Sequence, residues 1–139
     1  MSENNFNQEI IDQFRANNGT MVSGVFKGAP LLLLTTTGAK SGQTRVNPLA
    51  YTRDGNRYVI IASKAGAPTN PDWYHNVLAH PEVTIEVGPD RVAARASVAE
   101  GAVRDRLYAA QATLMPGFAE YERKTTRRIP VVILEPIGG

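Results

Sequence analysis

Residues 31–61 read LLLLTTTGAKSGQTRVNPLAYTRDGNRYVII, and the way this stretch divides decides the fold. Pro30 to Thr36 reads as a strand with apolar residues on both faces, which places it centrally in a sheet. Thr37 to Thr44 is a polar loop, and Arg45 to Arg53 is the next strand. Asp54-Gly55, with Asn56 behind it, is a strong hairpin turn. Arg57 to Ser63 is a third strand, again apolar.

Outward from this core the pattern continues. Upstream, residues 3–17 form an amphipathic helix. Phe6, Ile10 and Phe14 recur every four residues, Ile11 widens the stripe, and Asn17-Asn18-Gly19 ends it. Downstream, residues 64–70 form a loop. Asn70-Pro71-Asp72 reads as an N-cap followed by proline at the first helical position. The short helix that follows carries Trp73, Tyr74, Val77 and Leu78 and stops at His80-Pro81. Val83, Ile85 and Val87 alternate with polar residues, as do Val92, Ala94, Ala96 and Val98 beyond the Gly88-Pro89-Asp90 turn. A helix from Glu100 to Leu114 has Val103, Leu107, Ala110 and Leu114 on one side. Pro116-Gly117 breaks it, a shorter helix runs from Phe118 to Thr126, and a last strand covers Ile129 to Glu135. About six strands in hairpin order with helices around them predict one mainly-β (α+β) domain over residues 1–139, a small antiparallel barrel.

Composition narrows the class. At 42% hydrophobic and 20% charged residues the chain is globular. Its longest apolar run, Leu31 to Leu34, is strand-sized and far short of the roughly 20 residues that span a bilayer. The first ten residues lack the basic and apolar regions of a secretory signal, and there is no cysteine to form a disulfide, a thiolate metal ligand or a thiol nucleophile. These features predict a cytoplasmic protein. Glu3, Glu9 and Asp12 outnumber Arg15 on the first helix, which favours a lid on the barrel over a membrane contact. The net charge of +2 argues against nucleic acid, although Arg45, Tyr51, Arg53, Arg57 and Tyr58 mix cations with aromatics.

The distribution of that charge is more informative. Lys27, Lys40, Arg45, Arg53, Arg57 and Lys64 face only Asp54 within their stretch, whereas the rest of the chain is slightly acidic. Such a positive segment suits an anionic small molecule. Within it, Thr37-Gly38-Ala39-Lys40-Ser41-Gly42-Gln43-Thr44-Arg45 gathers hydroxyls, two glycines and two cations. Glycines let backbone N–H groups approach an anion, lysine adds a point charge, and arginine a planar fork. The segment is not a nucleotide P-loop. That pattern needs glycine where Ala39 and Leu34 stand, and a helix afterwards rather than a strand.

Two further elements could border the same cavity: Ala62-Ser63-Lys64, with a hydroxyl and a cation at the end of a strand, and Trp73, which either walls a ring system or anchors the core. There is no Gly-x-Ser-x-Gly elbow and no pair of carboxylates for glycoside chemistry. His75 and His80 lie five apart, off the four-residue spacing of helical ligand pairs, so no metal site is expected.

The stretches LLLLTTTGAKSGQTRVNPLAY (31–51), ASKAG (62–66), NPDWYHN (70–76) and RRIPVVILEP (127–136) resemble the deazaflavin-dependent nitroreductases, split-barrel oxidoreductases that use coenzyme F420. The resemblance covers most of the chain and is weakest in the first helix. It implies a split antiparallel β-barrel, dimeric in much of the superfamily, with the deazaflavin in a groove. Gly38, Lys40, Ser41, Gly42 and Arg45 would then hold the phosphate and oligoglutamate tail. Asn47, Pro48 and Leu49 would run along the tricyclic ring. Ala62, Ser63 and Lys64 would line the ring and phospholactyl part, and Trp73 would close the pocket. Ala50, Tyr51, Phe118 and Tyr121 fall in the substrate-pocket region, with Tyr121 and Ser63 the candidate catalytic residues. The reaction implied is hydride transfer from the reduced coenzyme to a quinone, an activated enone or a nitro compound. The alternatives are an FMN-dependent split-barrel oxidoreductase and a deazaflavin- or lipid-binding carrier without turnover. Two departures stand out: Ala39 replaces an arginine common in the family, and Ala50 replaces a tyrosine of the drug-activating member, so nitroimidazole reduction is not implied.

Overall fold

A computed structural model describes residues 3–21, 28 and 30–137. Lys27 and the side chains of Glu3 and Phe6, all used above, lie outside the described residues. Among the described residues four helices, α1 (Glu3–Ala16), α2 (Asp72–Ala79), α3 (Gly101–Leu114) and α4 (Gly117–Lys124), surround seven strands. These are β1 (Leu31–Thr37), β2 (Thr44–Ala50), β3 (Thr52–Asp54), β4 (Arg57–Ile61), β5 (Glu82–Val87), β6 (Asp90–Val98) and β7 (Val131–Pro136).

The strands make a single antiparallel sheet in the order β2-β1-β5-β6-β7-β4-β3. Its two edge strands, β2 and β3, are consecutive in the chain and separated by Tyr51 alone. A sheet whose edges are joined by one residue cannot lie flat. It curls until β2 comes alongside β4, which gives a half-barrel with a seam between those strands. This corrects the expected strand count from about six to seven. The anticipated single strand 45–53 is divided at Tyr51: its N–H still bonds the Pro30 carbonyl (3.1 Å), one step on in the β1 register, but from Thr52 onward the chain pairs with β4 instead.

The curl explains the uniformly apolar strands, because both faces are covered. Inside the barrel lie Leu32 and Leu34 of β1, Ile60 of β4, Val132 and Leu134 of β7, and Val83 and Ile85 of β5, with Trp73 and Val77 of α2 capping them. Outside, Leu31 and Leu33 pack under Ile10, Ile11 and Phe14 of α1. Val59, Ile61, Val131 and Ile133 pack under Leu107 and Tyr108 of α3. Each fully buried leucine of β1 contributes about 1.5–3 kcal/mol relative to exposure. Asn18, in the left-handed region (φ 53°), ends α1, and the Gly19 N–H reaches back to the Phe14 carbonyl (2.7 Å) in a Schellman bond. Among the described residues no helix is long and apolar enough to cross a membrane.

Two helix readings change. The residue capping α2 is Pro71, not Asn70; the Asn70 side chain instead accepts a bond from Arg127 Nη1 (2.7 Å). The buried face of α3 is Arg104, Leu107, Tyr108 and Gln111, while Val103 and Leu114 are exposed. Polar tips turn this face inward. Arg104 donates to the Ile129 carbonyl through Nη2 (2.8 Å), the Tyr108 hydroxyl donates to the Phe118 carbonyl (2.5 Å), and Gln111 Oε1 accepts from Thr52 Oγ1 (3.2 Å). Burial pushes the Tyr108 phenol up to about 12, so it stays a donor.

Candidate functional site

The β1–β2 hairpin closes around residues 38–43 and largely holds itself. The Gly38 N–H donates to the Gln43 carbonyl (2.7 Å), the Gly42 N–H to the Gly38 carbonyl (3.0 Å), and the Gln43 N–H to Ser41 Oγ (3.1 Å). Glycine suits both positions. A Cβ on Gly38 would lie 2.6 Å from Ser41 Oγ, and Gly42 sits at φ 72°. The Ala39 N–H is taken by Asn76 Oδ1 of α2 (2.9 Å), a part-buried bond, and Asn76 Nδ2 donates to Thr36 Oγ1 (3.1 Å) inside the fold. Four of the six loop N–H groups are thus committed, three within the hairpin and one to Asn76. Those of Lys40 and Ser41 have no partner among the described residues, and they sit between the exposed side chains of Lys40 and Arg45.

The second element follows β4. Ser63 is 7% exposed, yet its hydroxyl has no partner among the described residues. Lys64 lies in the left-handed region (φ 47°), an uncommon conformation for a side-chain-bearing residue, and opens a 3-10 turn to Gly66. Its ammonium reaches Thr69 Oγ1 (3.4 Å). Gly66 (φ 82°) backs onto α4. A Cβ there would lie 2.9 Å from Lys124 Cβ and 3.0 Å from the Tyr121 carbonyl oxygen.

Helix α2 bridges the two elements. Its N-terminus continues from the 62–71 loop, and Asn76, one turn on, grips the 38–43 hairpin. Across the barrel mouth the register sets which β2 residues face in. Arg45, Asn47 and Leu49 are cross-strand partners of Thr36, Leu34 and Leu32, and so share their inner face. Pro48 pairs with Leu33 and Ala50 with Leu31, on the outer face under α1. Pro48 and Leu49 therefore point to opposite sides of the strand.

The remaining expected residues are dispersed. Trp73, 4% exposed, is buried in the barrel core. Tyr51 packs on that core edge-to-face with Tyr58 (centroids 5.6 Å apart), and burial raises its phenol. Phe118 and Tyr121 form an edge-to-face pair (5.3 Å) over the α3 cluster, on the helix that touches Gly66. The structure thus brings α4 against the Ser63–Lys64 loop but leaves Ala50 and Tyr51 in two other clusters. A shallow groove of about 290 Å³ lies at the foot of the hairpin, lined by Thr35, Thr37, Thr44, Glu82, Thr84 and Ile137. It contains none of the cations and is not the candidate site.

Two residues escaped the sequence reading. Asn76 carried a usable signal: with Trp73 and Val77 it lies on the apolar stripe of α2, and a polar residue there needs buried partners. Arg127 carried none. Its Nε donates to the Ala67 carbonyl (2.9 Å), Nη1 to Asn70 Oδ1 (2.7 Å), and Nη2 to the Ser63 (2.8 Å) and Ala62 (3.2 Å) carbonyls.

A split half-barrel with a cationic hairpin and a Ser-Lys loop joined by one short helix frames a candidate small-molecule site. The F420H(2)-dependent quinone reductase family model matches residues 7–136, and the chain belongs to that family. An F420H(2)-dependent quinone reductase of Mycobacterium tuberculosis is 41% identical over 126 residues, covering 87% of this chain and 83% of the relative. The solved structure of an F420-H2 dependent reductase, FDR-A, superposes with a TM-score of 0.71 at 41% identity, over 76% of this chain and 94% of its own. A structure described as a domain-swapped dimer gives 0.72 at 35% identity, over 96% and 100%. The protein is an oxidoreductase that uses coenzyme F420, which sets aside FMN and the carrier reading.

Proposed function

We propose that the reduced coenzyme lies along the seam, its acidic tail on the Lys40 hairpin and its ring between the inner edge of β2 and the Ser63–Lys64 loop. The acceptor is a quinone, with activated enones and nitro compounds as further electron-poor candidates. The observation that carries this reading is the pair of uncommitted N–H groups on Lys40 and Ser41, flanked by the exposed Lys40 and Arg45 side chains. That donor set suits phosphate and carboxylate oxygens. At the other end, the unpartnered and nearly buried Ser63 hydroxyl supplies one neutral donor for a ring or phospholactyl oxygen.

When bound, the coenzyme supplies the hydride. The chain binds, orients and excludes water. Lys40, Ser41 and Arg45 fix the tail, while Gly38 and Gly42 let the backbone come close. Asn47 and Leu49 border the ring from the inner face, while Pro48 between them faces the other side of the strand. Ala62 and Lys64 complete the far wall, with Trp73 behind it as core. The half-buried Tyr121 hydroxyl, without a partner among the described residues, stands on the helix against the Ser63–Lys64 loop and serves the acceptor's oxygen as hydrogen-bond or proton donor. A homodimer is consistent with the domain-swapped relative.

Titrating the purified protein with coenzyme F420 and, separately, with FMN tests the reading. Tight, salt-dependent binding of the deazaflavin, and menadione-dependent oxidation of its reduced form, are expected. Salt-independent deazaflavin binding would place the tail elsewhere.

A further inference from the structure

Arg127 lies between α4 and β7, about sixty residues from the loop it touches. Its four acceptors straddle Lys64: Ala62 O and Ser63 O before it, Ala67 O and Asn70 Oδ1 after it. The guanidinium closes the base of the loop like a clasp. It has no carboxylate partner among the described residues, although the neighbouring Arg128 pairs with Asp105 and Arg104 with Asp105 and Glu122. A partly buried guanidinium spent wholly on neutral oxygens costs desolvation without the return of an ion pair, and burial lowers its pKa accordingly. Arginine at such a place acts through its planar fork, which can donate to both sides at once; lysine cannot. The loop it closes also holds the strained Lys64, and strain persists only where the surroundings over-determine it.

We infer that Arg127 is the positioning residue of the ring site. It locks residues 62–70 in the one shape that turns the Ser63 hydroxyl and the Lys64 ammonium toward the coenzyme. Its unpaired positive charge sits beneath the loop and adds to the field that an anionic coenzyme meets. The inference rests on the placement of the ring at this loop proposed above.

The test separates the two. Arg127→Lys and Arg127→Ala are compared with the wild type in amide exchange without coenzyme, then in coenzyme affinity and turnover. In both variants the Gly66 and Ala67 amides, which bond the Ser63 and Lys64 carbonyls, should exchange about tenfold faster or more, while Gly38 and Gly42 in the hairpin keep their rates. Turnover with a quinone should fall by about tenfold or more, with the tail-dominated coenzyme affinity changing much less. Lysine, which keeps the charge but loses the fork, should not rescue turnover. Unchanged exchange of Gly66 and Ala67 would overturn the clasp itself. Faster exchange with turnover and affinity both at wild-type values would overturn the positioning role, and with it the placement of the ring at this loop.

Discussion

The hairpin 38–43 and the loop 62–70 border one site but are held by opposite means. The hairpin takes three of its four structural bonds from within its own six residues and borrows one, from Asn76. The loop has two short-range bonds in its 3-10 turn and takes four from Arg127, with its back pressed on Lys124 and Tyr121 of α4. Local closure leaves a hairpin free to present spare donors to an anion. Remote closure fixes a strained backbone and makes the loop's shape depend on the whole fold. A tail site tolerates the first arrangement; a ring that must be held to a fraction of an ångström for hydride transfer needs the second.

The largest effect should come from breaking the remote packing. Gly66→Val puts a branched side chain at φ 82° against Lys124 Cβ and the Tyr121 carbonyl. A destabilisation of about 3 kcal/mol in urea unfolding is expected, adding a left-handed penalty of about 1–2 kcal/mol to the clash. Gly42→Ala, at φ 72° but in open space, should cost only the backbone penalty of about 1 kcal/mol. Equal losses in the two variants would mean the loops do not differ in how they are held.

Next in size is Asn76→Ala, which strands the buried Thr36 hydroxyl and frees the part-buried Ala39 N–H. About 2 kcal/mol of stability should be lost. Asn76→Asp sharpens the point. It keeps the acceptor for Ala39 but places a carboxylate under an anion site, so coenzyme affinity should fall further than stability. Affinity that tracks stability in both variants would remove Asn76 from the tail site.

Lys40→Ala and Arg45→Ala should each weaken coenzyme binding by about 1.5 kcal/mol, roughly tenfold, while the melting temperature stays within a degree or two of wild type. The salt dependence of the dissociation constant should flatten in both. Unaltered affinity in the two variants would move the tail off the hairpin.

What was legible in the sequence follows the same division. The hairpin was readable because its determinants, Gly38, Lys40, Ser41, Gly42 and Arg45, are contiguous. The apolar strands were readable because both faces are covered, whichever elements cover them. The cut at Tyr51 was not, because it depends on two sheet edges meeting, a property of closure rather than of the local run. The buried face of α3 was missed for a related reason. Apolar spacing favoured Val103 and Leu114, but Arg104, Tyr108 and Gln111 found buried partners on β3, on α4 and beside β7. Arg127 is the extreme case, since nothing near it in sequence names its acceptors.

The smallest expected effect concerns the cover over the hairpin side. Arg15 of α1 donates to both Glu86 oxygens (3.0 and 2.8 Å), and these hydrogen bonds hold the Glu86 carboxyl below the usual carboxylate range. A carboxyl whose folded pKa is depressed contributes stability that is complete above its unfolded value of about 4.3, and that is lost as pH falls through the lower folded value. Arg15 is 45% exposed, so the contribution is screened and should not exceed about 1 kcal/mol. The stability gap between wild type and Arg15→Ala should therefore be open at pH 7 and close as the solution is acidified below pH 4. Because α1 packs on β1 and β2, amides of that helix should exchange faster in the variant, while Gly66 and Ala67 beside Arg127 stay unchanged. A loop amide that loosened along with α1 would show that the two halves of the site are mechanically coupled, and the contrast between local and remote closure would no longer hold.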